Sequence, residues 1–330
     1  MCGDGANDCG ALKAAHVGIS LSEAECSVAS PFTSHEANIS CVPRVVSEGR
    51  AALSTSSGVF RFMVVYSLTE FFSCVVLYAV ESNLTDFQFL FIDIALIVNF
   101  AFFFGKTQAY TGPLVPKPPL TTLLSFIPLS SMALQMVLVV TMQLVAFYVV
   151  KLFPWYPDFK KQDDSYTCYE NYAIYTLSLF QYIAAVVAFS QGKPYRKPIY
   201  TNIPFMISLI VMSLVCAYQT LYPATWLLDG FSYILPPSFD FPVIIVCMGV
   251  ISLVMALVIE NLVVNWLLVK VAKATGLEDK GKKYLVIERE VTAEAWPDMT
   301  QVPTDLRGSI EYLREPVRTV SIEMKKLEPS

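Results

Sequence analysis

Two carboxylates and an amide stand on a glycine-loosened turn near the start of the sequence, Gly3-Asp4-Gly5-Ala6-Asn7-Asp8. Carboxylate oxygens are hard donors, and glycine lets the backbone bend close to an ion. Such a turn therefore suits a hard divalent cation. Asp4 and Asp8 are the candidate ligands, Asn7 stands beside them, and Gly3 and Gly5 supply the bend. The spacing alone is shared by calcium loops and ordinary turns. Apolar residues then resume at helical spacing from Ala11.

A second group of candidates lies in apolar surroundings. Tyr66 and Glu70 are four residues apart, hence on one helix face. Asp86, Phe89 and Asp93 share roughly one face of the next apolar run, and a short turn joins the two runs. A carboxylate at mid-bilayer costs about 2.5–3.5 kcal/mol, so it usually faces a cavity or a partner. Aromatic rings between carboxylates make a lining for an organic cation, through charge pairing and cation–π contact. The alternative is plain hydrogen bonding between helices. That alternative weighs most for Glu260, and it is the expected role of Gln135, Gln143, Gln181, Asn261 and Asn265.

The elements that must position these residues follow from composition. Of 330 residues, 55% are hydrophobic and 15% charged, with a mean hydropathy of +0.52. Soluble domains usually carry about 25% charged residues. Long uncharged runs alternate with polar stretches, as in a polytopic membrane protein embedded in a lipid bilayer. Six runs are expected to cross it, at about 59–80, 87–105, 123–150, 172–190, 203–222 and 243–269. Residues 1–58 read as a soluble head with a helix after the acidic turn, a strand at 17–21 and an amphipathic helix at 42–52. Residues 270–330 read as a tail with a short helix at 282–294. Lys106 and Lys117, then Lys193, Arg196 and Lys197, and a Lys-rich start to the tail stand on one side. Of the opposite loops, 81–86 and 223–242 have no base, and 151–171 has three lysines diluted by four acids. The balance favours a cytosolic head and tail.

Several classes are disfavoured. The net charge of −5 has no basic face, so nucleic acid is not an expected partner. The first twenty residues lack the apolar core of a signal peptide. Eight cysteines include no C-x-x-C pair, and neither His16 nor His35 completes a zinc pattern.

The run GDGANDCGALKAAHVGI, residues 3–19, resembles the second half of the phosphorylation domain of P-type ATPases, GDGxNDxxALxxAxVGI. The resemblance implies an α/β, HAD-like piece ahead of a mostly α, six-helix transmembrane domain. It implies that Asp4 binds Mg²⁺, while Asn7 and Asp8 hold the ligand shell and phosphoryl oxygens. The family's nucleophile lies in D-K-T-G-T, a motif this sequence does not contain. ATP would be bound mainly by domains outside these residues, and the chain reads as a carboxy-terminal fragment that is inactive alone.

Residues 66–96 resemble the fifth and sixth spans of the subclass-B type-five P-type ATPases, the late-endosomal and lysosomal polyamine transporters. Shared stretches also occur at 31–34, 48–53, 177–182, 197–205 and 288–297. In that family a Tyr and a Gln in the fifth span, and a Phe and an Asp in the sixth, line the substrate site. Tyr66, Phe89 and Asp93 match, and Glu70 stands where the family has Gln. Its extra negative charge would suit a polycation. The resemblance thus implies an ATP-driven, Mg²⁺-dependent exporter of spermine or spermidine from lumen to cytosol. Two other readings stay open: an inactive membrane protein with a binding or regulatory role, and an inorganic-cation pump.

Overall fold

The computed structural model describes residues 1–275, apart from 5, 23–27, 29, 37, 116–117, 120–122, 157–166 and 233. The expected tail helix at 282–294 lies outside the described residues. The head contains strands β1 (Cys2–Gly3), β2 (Ile19–Leu21) and β3 (Phe32–Ser34), and helix α1 (Cys9–Ala14). The strands form a parallel sheet in the order β1-β2-β3, with Cys2 opposite Ile19 and Ile19 opposite Phe32. Parallel neighbours need a crossover, and α1 supplies the one between β1 and β2. Leu12 and Ile19 are buried beneath it.

Among the described residues, six helices are long and apolar enough to cross a membrane. They are α2 (Cys41–Tyr78), α3 (Asp86–Phe104), α4 (Phe126–Leu152), α5 (Tyr169–Phe189), α6 (Ile203–Leu221) and α8 (Asp240–Val271). A short helix, α7 (Thr225–Phe231), lies between the last two. The amphipathic stretch at 42–52 and the first apolar run are not separate elements. Both lie in α2, whose 38 residues hold an unbroken helix. Pro43 causes no break because the first turn has no hydrogen bond for it to remove. At 1.5 Å per residue α2 is roughly 57 Å long, well beyond a ~30 Å hydrocarbon core. Its head-side half also carries the connection after α3, where Ser47 Oγ donates to the Tyr110 carbonyl at 3.1 Å.

Helix α5 is the centre of the bundle. Of its most apolar stretch 89% is buried, against 28% to 39% for the other five. It is not the most apolar helix: its mean hydropathy is 1.6, while α8 reaches 2.9. Lipid tails are as apolar as leucine, so the helix that meets no lipid is free to carry polar groups. α5 uses that freedom to bind its neighbours. Tyr172 donates to the Thr220 carbonyl at 2.5 Å, Tyr175 to Gln219 at 3.1 Å and Gln181 to the Val139 carbonyl at 3.1 Å. Gln88 of α3 donates to Asn171 at 2.8 Å.

The connection after α5 closes the head side of the bundle. Arg196 there is buried, donates to the Phe104 carbonyl at 2.8 Å and lies 4.6 Å from the Phe104 ring centre. A cation at the end of α3 suits the carbonyls left over at a helix C-terminus. Burial pushes its guanidinium down to about 10.

Close helix contact is bought with glycine at one position in particular. A Cβ on Gly249 of α8 would sit 2.7 Å from the Phe180 Cβ and Cγ atoms of α5. Gly249→Val should therefore cost about 1–3 kcal/mol through overpacking. Gly49, in the projecting half of α2, meets nothing within 4 Å. Gly49→Ala should raise stability by about 0.5–1 kcal/mol through helix propensity. Thermal unfolding of the chain in detergent measures both, and equal shifts for the two variants would contradict the packing account.

Candidate functional site

The acidic turn of the head sits where a parallel sheet exposes the ends of its strands. Asp4 follows β1 directly, and Asn7 and Asp8 form part of a single 3₁₀ turn, Ala6–Asp8, that leads into α1. In open α/β sheets ligands bind beyond the carboxyl ends of the strands, which is the position Asp4 holds. Asp4 and Asn7 are exposed and Asp8 is half-buried. The Asp8 carboxylate lies over Gly3: a Cβ built there would be 2.5 Å from Asp8 Oδ2. Gly3 is thus needed to let that carboxylate fold back against the strand. Gly5 lies outside the described residues. Carboxylates are the donor type Mg²⁺ takes, one or two from protein with water and phosphate completing its shell. Among the described residues no group of three or more His, Cys, Asp or Glu side chains comes together.

The membrane candidates converge more directly. The Tyr66 hydroxyl of α2 donates to Asp93 Oδ1 of α3. Glu70, one turn along from Tyr66, interacts electrostatically with both Tyr66 and Asp93. Its Oε1 is buried without a hydrogen-bond partner. Phe89 is half-buried and packs against the main core one turn before Asp93, while Asp86 is exposed. Asp86 stands in the first turn of α3, at its exposed end. Beyond Phe89 the winding changes: Phe91–Val98 is a π-helix, which re-aims the side chains that follow. Asp93 is the third residue of that segment.

Sequence reasoning missed Tyr182 of α5. Its ring meets the Tyr66 ring edge-on at 5.9 Å between centres, and its hydroxyl is buried without a hydrogen-bond partner. Nothing in its spacing distinguishes it from an ordinary core aromatic. Arg61 of α2 is buried as well. It donates to Glu260 Oε1 at 2.8 Å, and Ser131 and Gln191 donate to the same carboxylate, each at 2.7 Å. Glu260 therefore has an interhelical structural role, joining α2, α4, α8 and the connection after α5. It too sits in a π-helix, Ile259–Leu268.

No family model matches the chain. Curated proteins do match. It is 40% identical over 312 residues to the human polyamine-transporting ATPase 13A2, a match covering 92% of this chain and 26% of that protein. It is 46% identical over 233 residues to mouse polyamine-transporting ATPase 13A2, covering 70% of this chain and 20% of that one. It is 40% identical over 272 residues to the probable cation-transporting ATPase catp-6 of Caenorhabditis elegans, covering 81% and 21%. The chain belongs to the ATPase 13A family of P-type ATPases. It spans about a quarter of the length of these relatives, or slightly less.

The family's bundle contains two kinds of membrane carboxylate here. Glu260 is fully engaged by Arg61, Ser131 and Gln191, whereas Glu70 retains a bare oxygen. Removing one member of a buried ion pair strands the other, at about 3–5 kcal/mol, while replacing both with apolar residues is often near neutral. Arg61→Leu should therefore lower stability more than the double variant Arg61→Leu/Glu260→Leu. Thermal unfolding of the single and double variants checks this, and additive losses would remove the pair's claim to act as a unit.

Proposed function

We propose that this chain contributes the transmembrane substrate site and part of the phosphoryl-transfer site of an ATP-driven polyamine transporter. The observation that carries the reading is the convergence of Asp93, Tyr66 and Glu70 inside the bundle. Two carboxylates, one of them holding an unpartnered buried oxygen, stand beside two aromatic rings. That arrangement suits an alkylammonium group, which offers charge, several N–H donors and an apolar stem. The names of the human and mouse relatives, polyamine-transporting ATPase 13A2, support the same substrate class.

In this reading spermine or spermidine is drawn from the lumen and released to the cytosol, in the late-endosomal or lysosomal membrane. Head and tail are cytosolic. Asp4 and Asp8 would hold Mg²⁺, which neutralises charge on the transferring phosphoryl group. Asn7 would position phosphoryl oxygens, and Gly3 and Gly5 keep the backbone close to them. Asp93 supplies the main charge, Tyr66 orients it, and Glu70 and Phe89 complete the lining.

Asp93→Asn keeps an oxygen for Tyr66 to bond but removes the charge. It should weaken spermine binding to this chain in lipid nanodiscs by at least about thirtyfold, as for loss of a buried charged partner. Calorimetric titration measures this, and unchanged affinity would sink the site assignment.

A second reading is a membrane-embedded binding or regulatory protein without turnover. On either reading, this chain incubated with labelled ATP and Mg²⁺ should form no acid-stable phosphoenzyme. Label retained after acid quenching would refute that. An in-frame D-K-T-G-T upstream in the gene would favour the transporter over the binding protein.

A further inference from the structure

The polar groups around Glu70 do not end at the Asp93 pair. They continue along α2 and across to α5 and α4. Tyr182 of α5 is buried at 1% exposure, with its hydroxyl unpartnered. The Ser178 hydroxyl, one turn earlier, is already donated to the Tyr175 carbonyl at 2.7 Å. Glu70, Tyr66 and Cys74 act electrostatically on the Tyr182 hydroxyl, and the Ser178 hydroxyl lies beside it, yet Glu70 and Tyr182 share no hydrogen bond.

One turn along α2 from Glu70, Ser73 meets Gln143 of α4, and Gln143 meets Gln181, the residue before Tyr182. The directions of these bonds are determined by their outer ends. Ser73 donates its proton to the Thr69 carbonyl at 2.9 Å, so toward Gln143 it can only accept. Gln181 commits its amide nitrogen to the Val139 carbonyl at 3.1 Å, so it turns its oxygen to Gln143. Gln143 must therefore present its nitrogen to both, at 2.8 Å to Ser73 and 3.1 Å to Gln181. Its own oxygen is left over, buried at 0% exposure and without a partner.

Three buried groups, Glu70 Oε1, Tyr182 Oη and Gln143 Oε1, thus have unused capacity, and all three can accept. A buried acceptor without a donor costs about 1–3 kcal/mol, and a cluster of them calls for a ligand rich in N–H. A protonated primary or secondary amine is such a ligand, while an anion or a carbonyl compound is not. The three are linked through neighbours: Tyr182 packs on the Tyr66 ring, Gln181 precedes Tyr182, and Gln143 bonds both Gln181 and Ser73, one turn from Glu70.

We propose that Tyr182 and Gln143 form a second ammonium subsite beside Glu70, taking the next protonated nitrogen of a linear polyamine held at Asp93. The inference rests on the polyamine reading above and adds to it a basis for chain length. A diamine is held chiefly at Asp93. A tetra-amine reaches both positions, so the second subsite discriminates between them.

The test is calorimetric titration of spermine and putrescine against this chain in lipid nanodiscs. Tyr182→Phe and Gln143→Met keep shape and remove the acceptor. Each should weaken spermine about tenfold, the cost of one hydrogen bond to a charged group, and leave putrescine within about twofold. Loss of both ligands in parallel would mean a structural role and overturn the subsite. Unchanged spermine affinity in both variants would overturn it as well. If Asp93→Asn abolishes binding while these variants do not alter selectivity, only the second subsite fails. If the unaltered chain binds neither amine, or Asp93→Asn changes nothing, the polyamine reading fails with it.

Discussion

Hydrocarbon offers no water to a polar group, and that constraint shapes the bundle more than apolarity does. Within lipid there is little hydrophobic gain in bringing two apolar helices together, so packing and hydrogen bonds must hold them. The central helix α5 shows the consequence. It is enclosed by other helices, and its Asn171, Tyr172, Tyr175 and Gln181 each bond to a neighbouring element. The lipid-facing α8 is far more apolar and less buried. In this bundle polarity marks the inside.

The two π-helices extend the same argument to charge. Each of the two segments contains a carboxylate near its start, Asp93 in one and Glu260 in the other. A π turn widens the helix and shifts the side chains after it, which permits an acid to aim inward. For Glu260 the aim is toward Arg61, and Gln135 meets the Ala256 carbonyl just before the widened segment at 3.0 Å. For Asp93 the aim is toward Tyr66. The winding change places the acid, and the neighbours then decide what the acid does.

That division explains what was legible in the sequence. The six spans could be read because length and apolarity are local properties. The head's first helix and the strand after it could be read from the turn that precedes them; β1 and β3, two and three residues long, were too short to be read. The acids themselves were legible as anomalies in apolar runs. Which anomaly is structural was only weakly legible, since Arg61 and Glu260 are 199 residues apart. Tyr182 was not legible at all. A buried tyrosine differs from a functional one only in whether its hydroxyl has a partner, and the partners come from other helices. The continuity of α2 was also missed, because a change from amphipathic to apolar composition resembles a boundary while the backbone simply continues through it.

The departure at Glu70 follows from these considerations. A second carboxylate close to Asp93 raises the cost of burying either, unless a cation is shared between them. Arg61 lies on the same helix but is committed to Glu260, so it does not serve that purpose. A glutamine at position 70 would avoid the repulsion and satisfy itself by hydrogen bonding. Keeping a carboxylate there, with one oxygen unpartnered, makes sense where the compensating positive charge comes from the substrate rather than from the protein. Arg61, a fixed cation, holds helices together, and the proposed site depends on a cation that comes and goes.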